Sequence, residues 1–406
     1  MKRRHFNVCL LLPVLGSFLA ACSSPEPPPA ASAAQAQDPV TPEVLLAAAR
    51  AGGDFLLRVQ RDDGTFPEAY EVEGGEASGS TEENHLLQAG LCRSLARLAA
   101  ATAQPQYEEG ADRCLDVLLA GRAAPRPEHR DRGFAMVTDG ADPTAGDLGA
   151  TALTLLALVE KGPERRSMED LESLRSLAAF LVFQQSRVGA PTYRYPLGEP
   201  AEASERHHLE GTYAPTQAAL ALVRLSRLDE EKAVRWRQGA ERFLGWVMAV
   251  RDLGRTYDRL PEDPWMLAAL TELYEATGGG RTYYLHGRRT AAGILRDLAF
   301  ETETPGSFLG ARRVEALAAM IRLAKAAGED PSPYRKACEA TARYLLRCQI
   351  TETERSAAGM PSLVLGGIRN EPRGGRIASA GMVHALGAWL DLRSRLLEER
   401  EASSAR

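Results

Sequence analysis

The chain has 406 residues, with 49 lysines and arginines against 54 aspartates and glutamates, for a formal charge of −5; 44% of its side chains are apolar and 6% aromatic. An acidic balance of this kind excludes a general nucleic-acid binder. Neither its six cysteines nor its seven histidines fall at zinc-site spacings, so no metal or other cofactor is expected.

In chain order, Met1-Lys2-Arg3-Arg4 precedes an apolar run from Phe6 to Ala21, the layout of a secretory signal. Leu19-Ala20-Ala21-Cys22 resembles a bacterial lipobox. That resemblance implies cleavage before Cys22 and lipidation of its thiol, so that acyl chains tether the mature protein to the cell envelope. Ser23 replaces the aspartate that favours inner-membrane retention, which points to the outer membrane on its periplasmic side. Residues 22–42, rich in proline and alanine, hold too few large apolar side chains to fold and read as a semi-extended spacer. No later stretch approaches about eighteen uninterrupted apolar residues, so no spanning helix is expected. The folded domain is expected over 43–398, with a disordered tail at 399–406.

Within that domain helix follows helix, with almost no alternating strand pattern. Six segments are alanine-rich and strongly apolar: 82–101, 145–160, 213–227, 263–277, 310–327 and 376–397. More amphipathic, arginine-studded helices lie between them at 43–61, 106–121, 167–186, 230–251, 281–298 and 333–349. Thr41-Pro42, Ser332-Pro333 and Asp263-Pro264 are start signals, as are the capping-box spacings Ser80 to Glu83 and Ser167 to Asp170. Each apolar segment carries a small-Leu-x-x-large step, from Ser94-Leu95 with Leu98 to Ala385-Leu386 with Trp389. Twelve helices alternating inner and outer make six hairpins. Closed on themselves they form an all-α (α/α)6 toroid; the alternative, an open solenoid, would expose the core-like final segment MVHALGAWL.

This arrangement bears on cross-links and on the site. Cys92 and Cys114 flank a short inter-helix turn symmetrically and should lie close enough to bond. Cys338 and Cys348, about 15 Å apart along one helix, should not. Connections from inner to outer helices are short, whereas those from outer to inner are long at 62–81, 122–144, 187–212 and 350–375. Long loops gathered at the N-termini of the inner helices are expected to form the functional mouth, where unpaired N–H groups favour anions.

Gln60-x-x-x-Gly64-x-Phe66 resembles the Gln-Gly-aromatic repeat of the terpenoid cyclase and prenyltransferase toroids. Gln185 with Gly189 and Tyr193 is a worn copy, and Gln349 starts a third that lacks its glycine. The acid motif and zinc constellation of those families, and the thioester of the complement-like toroids, are missing. Glu210-Gly211-Thr212-Tyr213-Ala214-Pro215, Asp263-Pro264-Trp265, and Arg376 with His384 look like the toroid domains of glucuronyl epimerases and six-hairpin glycosidases. The cluster Glu83-Asn84-His85 fits the same pattern. This resemblance implies action on a polysaccharide, including a uronate-containing one. Ala214 stands where a second tyrosine is expected, and Ala378 where an acid is expected.

The candidate acid–base groups are Glu83, Glu210, Tyr213 and Asp263, since a carboxylate or phenol at a helix mouth can move a proton to or from a sugar. Capping alone also explains Glu83 and Asp263. Candidate ligand contacts are Asn84, His208, Arg313, Arg376, His384 and the indole of Trp265, which suits a sugar face. Hydrolysis, lyase chemistry and epimerisation all need such groups. The competing reading is a non-catalytic lipoprotein scaffold that binds a glycan or a protein.

Overall fold

Proline at the first helical turn and a side-chain cap just before it set several helix starts, as expected from sequence. The protein is described from a computed structural model over residues 39–79, 84–140, 142–161, 168–198, 212–300 and 306–404. Packing divides the chain into Met1–Pro39 and Val40–Arg406, and the helices named below all belong to the second unit. Thr41 caps α1 (Pro42–Val59) through the Val44 amide, and Asp263 caps α8 (Pro264–Ala276) through Met266. The other hairpin helices are α2 (His85–Thr102), α3 (Pro105–Ala120), α4 (Leu148–Glu160), α5 (Met168–Phe183), α6 (Ala214–Leu225), α7 (Ala233–Trp246), α9 (Arg281–Phe300), α10 (Ser307–Ala326), α11 (Ser332–Cys348) and α13 (Ser379–Ser404). Helix α13 thus continues into the segment expected as a tail.

The even-numbered helices through α10, together with α13, are the apolar ones, and they form the inner ring. In α4 every residue from Leu148 to Val159 is buried, so it has neighbours on all sides. Helix α2 packs on α4, α4 on α6, α6 on α8, α8 on α10, α10 on α13, and α13 returns to α2. That return closes the ring and rules out the open solenoid. The odd-numbered helices α1 to α11 pack outside it, so the chain is an (α/α)6 toroid.

The glutamine–glycine repeat is a structural device, and it has a third complete copy. Gln60 and Gln349 are each the first residue beyond an outer helix and Gln185 is the second, and each side-chain amide donates to a carbonyl of the next outer helix round the ring. Gln60 reaches Gly110 (2.8 Å), Gln185 reaches Gly239 (2.8 Å) and Gln349 reaches Ala48 (2.9 Å). Three residues beyond each of those carbonyls, a second one faces a glycine held at positive φ. Gly64 (φ 88°) meets Arg113, Gly189 (φ 82°) meets Arg242 and Gly366 (φ 80°) meets Ala51. A Cβ at these glycines would come within 2.0 to 2.5 Å of the opposing oxygen, which only glycine avoids. The third glycine, Gly366, lies far beyond Gln349, because α12 (Glu352–Ala358) is inserted between them.

The expected near absence of strands is corrected. Seven short strands cross the mouth loops among the described residues. β1 (Ala69–Glu71) pairs with β2 (Glu76–Ser78) and β7 (Arg376–Ala378), joining the first mouth loop to the last. β3 (Arg122–Ala123), β4 (Met136–Asp139), β5 (Asp142–Asp147) and β6 (Arg194–Pro196) form a second sheet in that order. Strands of two to six residues are too short for alternation to register, and two of the pairings, β1 with β7 and β5 with β6, join loops remote in sequence, so tertiary contact creates those. Among the described residues no helix is long and apolar enough to cross a membrane.

Cys92 and Cys114 lie side by side, but as free, buried thiols and not as a disulfide. Each sulfur is turned to a backbone carbonyl, Cys92 donating to that of Ala111 and Cys114 to that of Gln88, both at 3.4 Å. Burial pushes the Cys92 thiol well up, and Cys114 beside it adds to the shift. Cys338 and Cys348 are also free and buried.

Candidate active site

A helix of the inner ring can present polar side chains to the axis only on one stripe, at spacings of three, four and seven residues. Such stripes exist: Phe308, Arg312, Glu315 and Arg322 on α10, and His384, Gly387, Asp391 and Arg395 on α13. An axial pocket of about 50 Å³ lies between them, lined by Trp265, Glu315, Asp391 and four arginines. Trp265 is at the mouth end of α8, and Arg395 lies about four turns into α13, so the pocket runs down the axis.

Near the mouth, His384 Nδ1 meets Glu315 Oε2 at 2.6 Å, with the two side chains 12% and 7% exposed. A carboxylate accepts, so the imidazole carries its proton on Nδ1 and presents Nε2 as the basic nitrogen, which bonds no described residue. Gly387, one turn below His384, makes the arrangement sterically possible, because a Cβ there would stand 2.0 Å from Glu315 Oε1. Rings surround the imidazole: Trp265 at 6.0 Å and Phe308 at 5.2 Å between centroids, both edge to face. The Arg93 guanidinium lies over the indole of Trp265, 4.9 Å from the ring centre, and Arg312 covers Tyr213 at 4.3 Å.

Deeper in, the axis is charged. Arg224 pairs with Glu160 and with Glu272 (3.2 Å), and Arg97 pairs with Asp391. Burial raises the Glu160 carboxyl, but Arg224, Arg93 and Arg97 outweigh it and hold the group below its ordinary value. Burial likewise opposes ionisation of Asp391, and Arg97, Arg93 and Arg224 reverse its effect. These groups therefore stay ionised and tie α2, α4, α6 and α13 together across the axis. Arg93 also stays a cation, although burial and the like charge of Arg97 pull it down to about 10.

The other residues singled out from sequence fall elsewhere. Asp263 is fully buried in the wall: it caps α8, takes Arg251 at 2.8 Å and accepts from Thr216. Arg313, 2% exposed, grips Glu262 with two bonds of 2.8 Å, so the adjacent acids at the start of α8 are both engaged in the wall. Arg376 is not on the last inner helix as expected; it lies in β7, half exposed, 3.8 Å from Glu71. The β-pairing with the first mouth loop holds it out of α13. Asn84 is exposed and caps α2 through the Leu87 amide. Tyr213, half-buried, precedes α6 and sits under Arg312. Glu83, His208, Glu210 and Cys22 lie outside the described residues.

Trp265 lines the axial pocket, and His384 stands next to it through its contacts with Glu315 and Trp265, whereas Tyr213 packs under Arg312 and is not part of the lining. Glu315, Arg93 and Gly387 are residues that attention to helix starts misses. Their signal is a charged or glycine position on the axial stripe of an otherwise apolar helix.

No protein-family model matches the chain, and no curated protein matches it in sequence. Solved structures do match in fold. The chain is similar to an alpha-1,6-mannanase from Salegentibacter, with 12% identity and a TM-score of 0.58 over 87% of this chain and 99% of that one. It is similar to the cellobiose 2-epimerase of Spirochaeta thermophila, with 15% identity and a TM-score of 0.61 over 87% and 96%. A family 76 glycoside hydrolase from Bacteroides thetaiotaomicron gives 12% identity and a TM-score of 0.62 over 87% and 78%. An inactive double-aspartate variant of the mannanase was solved in complex with alpha-1,6-mannotriose. At these identities the likeness shows the fold, and the fold is the (α/α)6 toroid.

Proposed function

We propose that this toroid acts on a carbohydrate by acid–base chemistry, with His384 as the proton-transferring group and Glu315 as the carboxylate that orients it. The observation that carries this reading is the 2.6 Å His384–Glu315 contact at the rim of an axial pocket, between two aromatic rings. A basic Nε2 beside an indole suits a sugar whose ring rests near Trp265. His384 takes a proton from a carbon next to a carbonyl or carboxyl group, and the C–H electron pair passes to the adjacent oxygen. Return of a proton to the opposite face gives an epimer; departure of a β-oxygen gives a lyase product.

Glycoside hydrolysis ranks behind this, because it needs two available carboxylates. Glu262 and Asp263, the adjacent acids of the described mouth, are occupied by Arg313 and Arg251. That the toroids similar in fold include a mannanase and a sugar epimerase supports a carbohydrate substrate. The sequence around Cys22 supports a lipid-anchored location in the envelope of a bacterium.

The test is incubation of the purified protein with neutral and uronate-bearing oligosaccharides in deuterated water. Deuterium entering a carbon-bound position, lost in His384→Gln, is the expected result. Hydrolysis without exchange would move the assignment to a glycosidase. Tight binding without turnover would reassign the protein as a glycan-binding scaffold. Radiolabelled fatty acid incorporation that disappears in Cys22→Ala would support the anchor.

A further inference from the structure

Arg251, on the outer ring, uses every N–H it has. The end of α7 passes into a single π-turn, Val247–Arg251, closed by the Asp252 amide, which donates to the Val247 carbonyl at 2.9 Å. Neighbours in an α-helix diverge by about 100°; here Arg251 and Asp252 both turn inward, their side chains 7% and 0% exposed. The guanidinium offers five N–H donors in one plane. Nε and Nη2 bond the two oxygens of Asp252 (2.8 and 3.0 Å), and Nη1 bonds Asp263 Oδ2 (2.8 Å) and the Thr212 carbonyl (2.7 Å). Nη2 also reaches the Met266 sulfur at 3.4 Å. Asp252 in turn accepts from His286 Nε2 of α9 at 3.0 Å. Burial opposes the charge on Arg251, but Asp263 and Asp252 outweigh it and raise its pKa.

These bonds converge on two helix starts at the mouth. Thr212 stands two residues before α6, and Asp263 stands immediately before α8, with its Oδ1 holding the Met266 amide at 2.9 Å. Trp265 lies between Asp263 and Met266, so its backbone belongs to the turn that Arg251 anchors. The groups its indole meets come from other helices: His384 from α13 and the Arg93 guanidinium from α2. The spacing of Trp265 from His384 is therefore set between helices, and Arg251 secures the α8 side of it.

We propose that Arg251 is a positioning residue: through Asp263 it fixes the first turn of α8, and with it the indole of Trp265 that sets a sugar before His384. This rests on the acid–base reading given above and adds to it a residue that does not itself line the axial pocket. A guanidinium suits the task because its planar fork spans Asp252, Asp263 and Thr212 at once, whereas an ammonium is a compact point charge with three donors. Proton transfer depends on the distance and direction between the sugar and Nε2 of His384, so a loosened Trp265 costs rate even when the dyad of His384 and Glu315 is intact.

The experiment compares the full chain with Arg251→Lys, which keeps the buried charge and loses the fork, and with Arg175→Lys as a control, since Arg175 pairs with Asp229 and Glu231. Two readouts are independent of turnover. One is hydrogen exchange of the Met266 amide against that of Ala150, capped in the same way on α4 by Asp147 at 2.7 Å. The other is the indole N–H resonance of Trp265, assigned by its loss in Trp265→Phe. In Arg251→Lys the Met266 amide should exchange at least about 10-fold faster relative to Ala150, the indole resonance should shift, and kcat per folded molecule should fall at least about 10-fold. Arg175→Lys should match wild type in all three. An unmoved indole resonance with unchanged Met266 exchange would overturn the inference, and so would a shifted resonance with wild-type kcat. If Arg251→Lys fails to fold, the wild-type protein decides: Met266 protected as well as Ala150 supports an anchored turn, and faster exchange at Met266 overturns it. Absence of turnover in wild type would remove the acid–base reading, while exchange and resonance would still decide whether Arg251 anchors Trp265.

Discussion

Replacing Gly387 by alanine separates the chemistry of the axial pocket from its stability. A Cβ at 387 would sit 2.0 Å from Glu315 Oε1 and 3.0 Å from Glu315 Cδ, so the carboxylate has to retreat by about 1 Å or more to regain ordinary contact. The 2.6 Å contact to His384 does not survive such a shift. Losing a charge-assisted bond of this kind removes about 1.5–3 kcal/mol, which corresponds to roughly a 10- to 100-fold fall in turnover. Folding is affected far less. Alanine gains about 1 kcal/mol over glycine inside a helix, while overpacking costs about 1–3 kcal/mol. The group displaced is the free end of a side chain, so the net change should stay within about 2 kcal/mol. The assay pairs turnover of the proposed oligosaccharide substrate with a denaturant midpoint and with the imidazole nitrogen resonances of His384. Those resonances should lose the signature of a fixed Nδ1–H. Gly245→Ala is the control, because its Cβ meets nothing within 4 Å. Wild-type turnover in Gly387→Ala, with the His384 resonances altered, would refute the role of the dyad.

Other outcomes rest on the same geometry. Gly189→Ala should lower stability by more than about 2 kcal/mol, since it combines a left-handed backbone with a Cβ 2.0 Å from the Arg242 oxygen; an unchanged unfolding midpoint would contradict the repeat device. Asp229 is buried, which opposes its ionisation, but Arg175 (2.6 and 3.0 Å) and Trp236 (2.9 Å) outweigh burial and lower its pKa. A lowered carboxyl stabilises the fold above its unfolded pKa and loses that contribution as pH falls toward the folded value. Asp229→Asn should therefore cut stability at neutral pH and flatten the acid limb of the curve; parallel curves for the two proteins would exclude this. The buried thiols, with Cys348 raised to about 11 chiefly by burial, should resist an aromatic disulfide reagent in the folded protein and react on unfolding. Under oxidant, Cys92 and Cys114 should cross-link to each other, as peptide mapping would show.

The twelve hairpin helices were legible in the chain because apolar content and start signals act locally. Pro42, Asp263 and Pro333 mark helix starts through their own backbone chemistry, and α4 is apolar on all sides because it is buried on all sides. The glutamine–glycine signature at Gln60 was readable for the same reason. Its third copy was not, because Gly366 meets Gln349 only after an inserted helix. Only the folded chain decided the rest. Two of the strand pairings, β1 with β7 and β5 with β6, exist because loops far apart in sequence meet, and the first of them draws Arg376 out of the helix expected to carry it. Asp263 at a helix start looked available, yet Arg251 and Thr216 from neighbouring elements occupy it. Glu315 carries no start signal or motif in the sequence, and it gains its role from His384 and Gly387 on another helix. Local sequence sets which segments become helices; which of their side chains meet on the axis depends on closure of the ring, which brings α13 back beside α2.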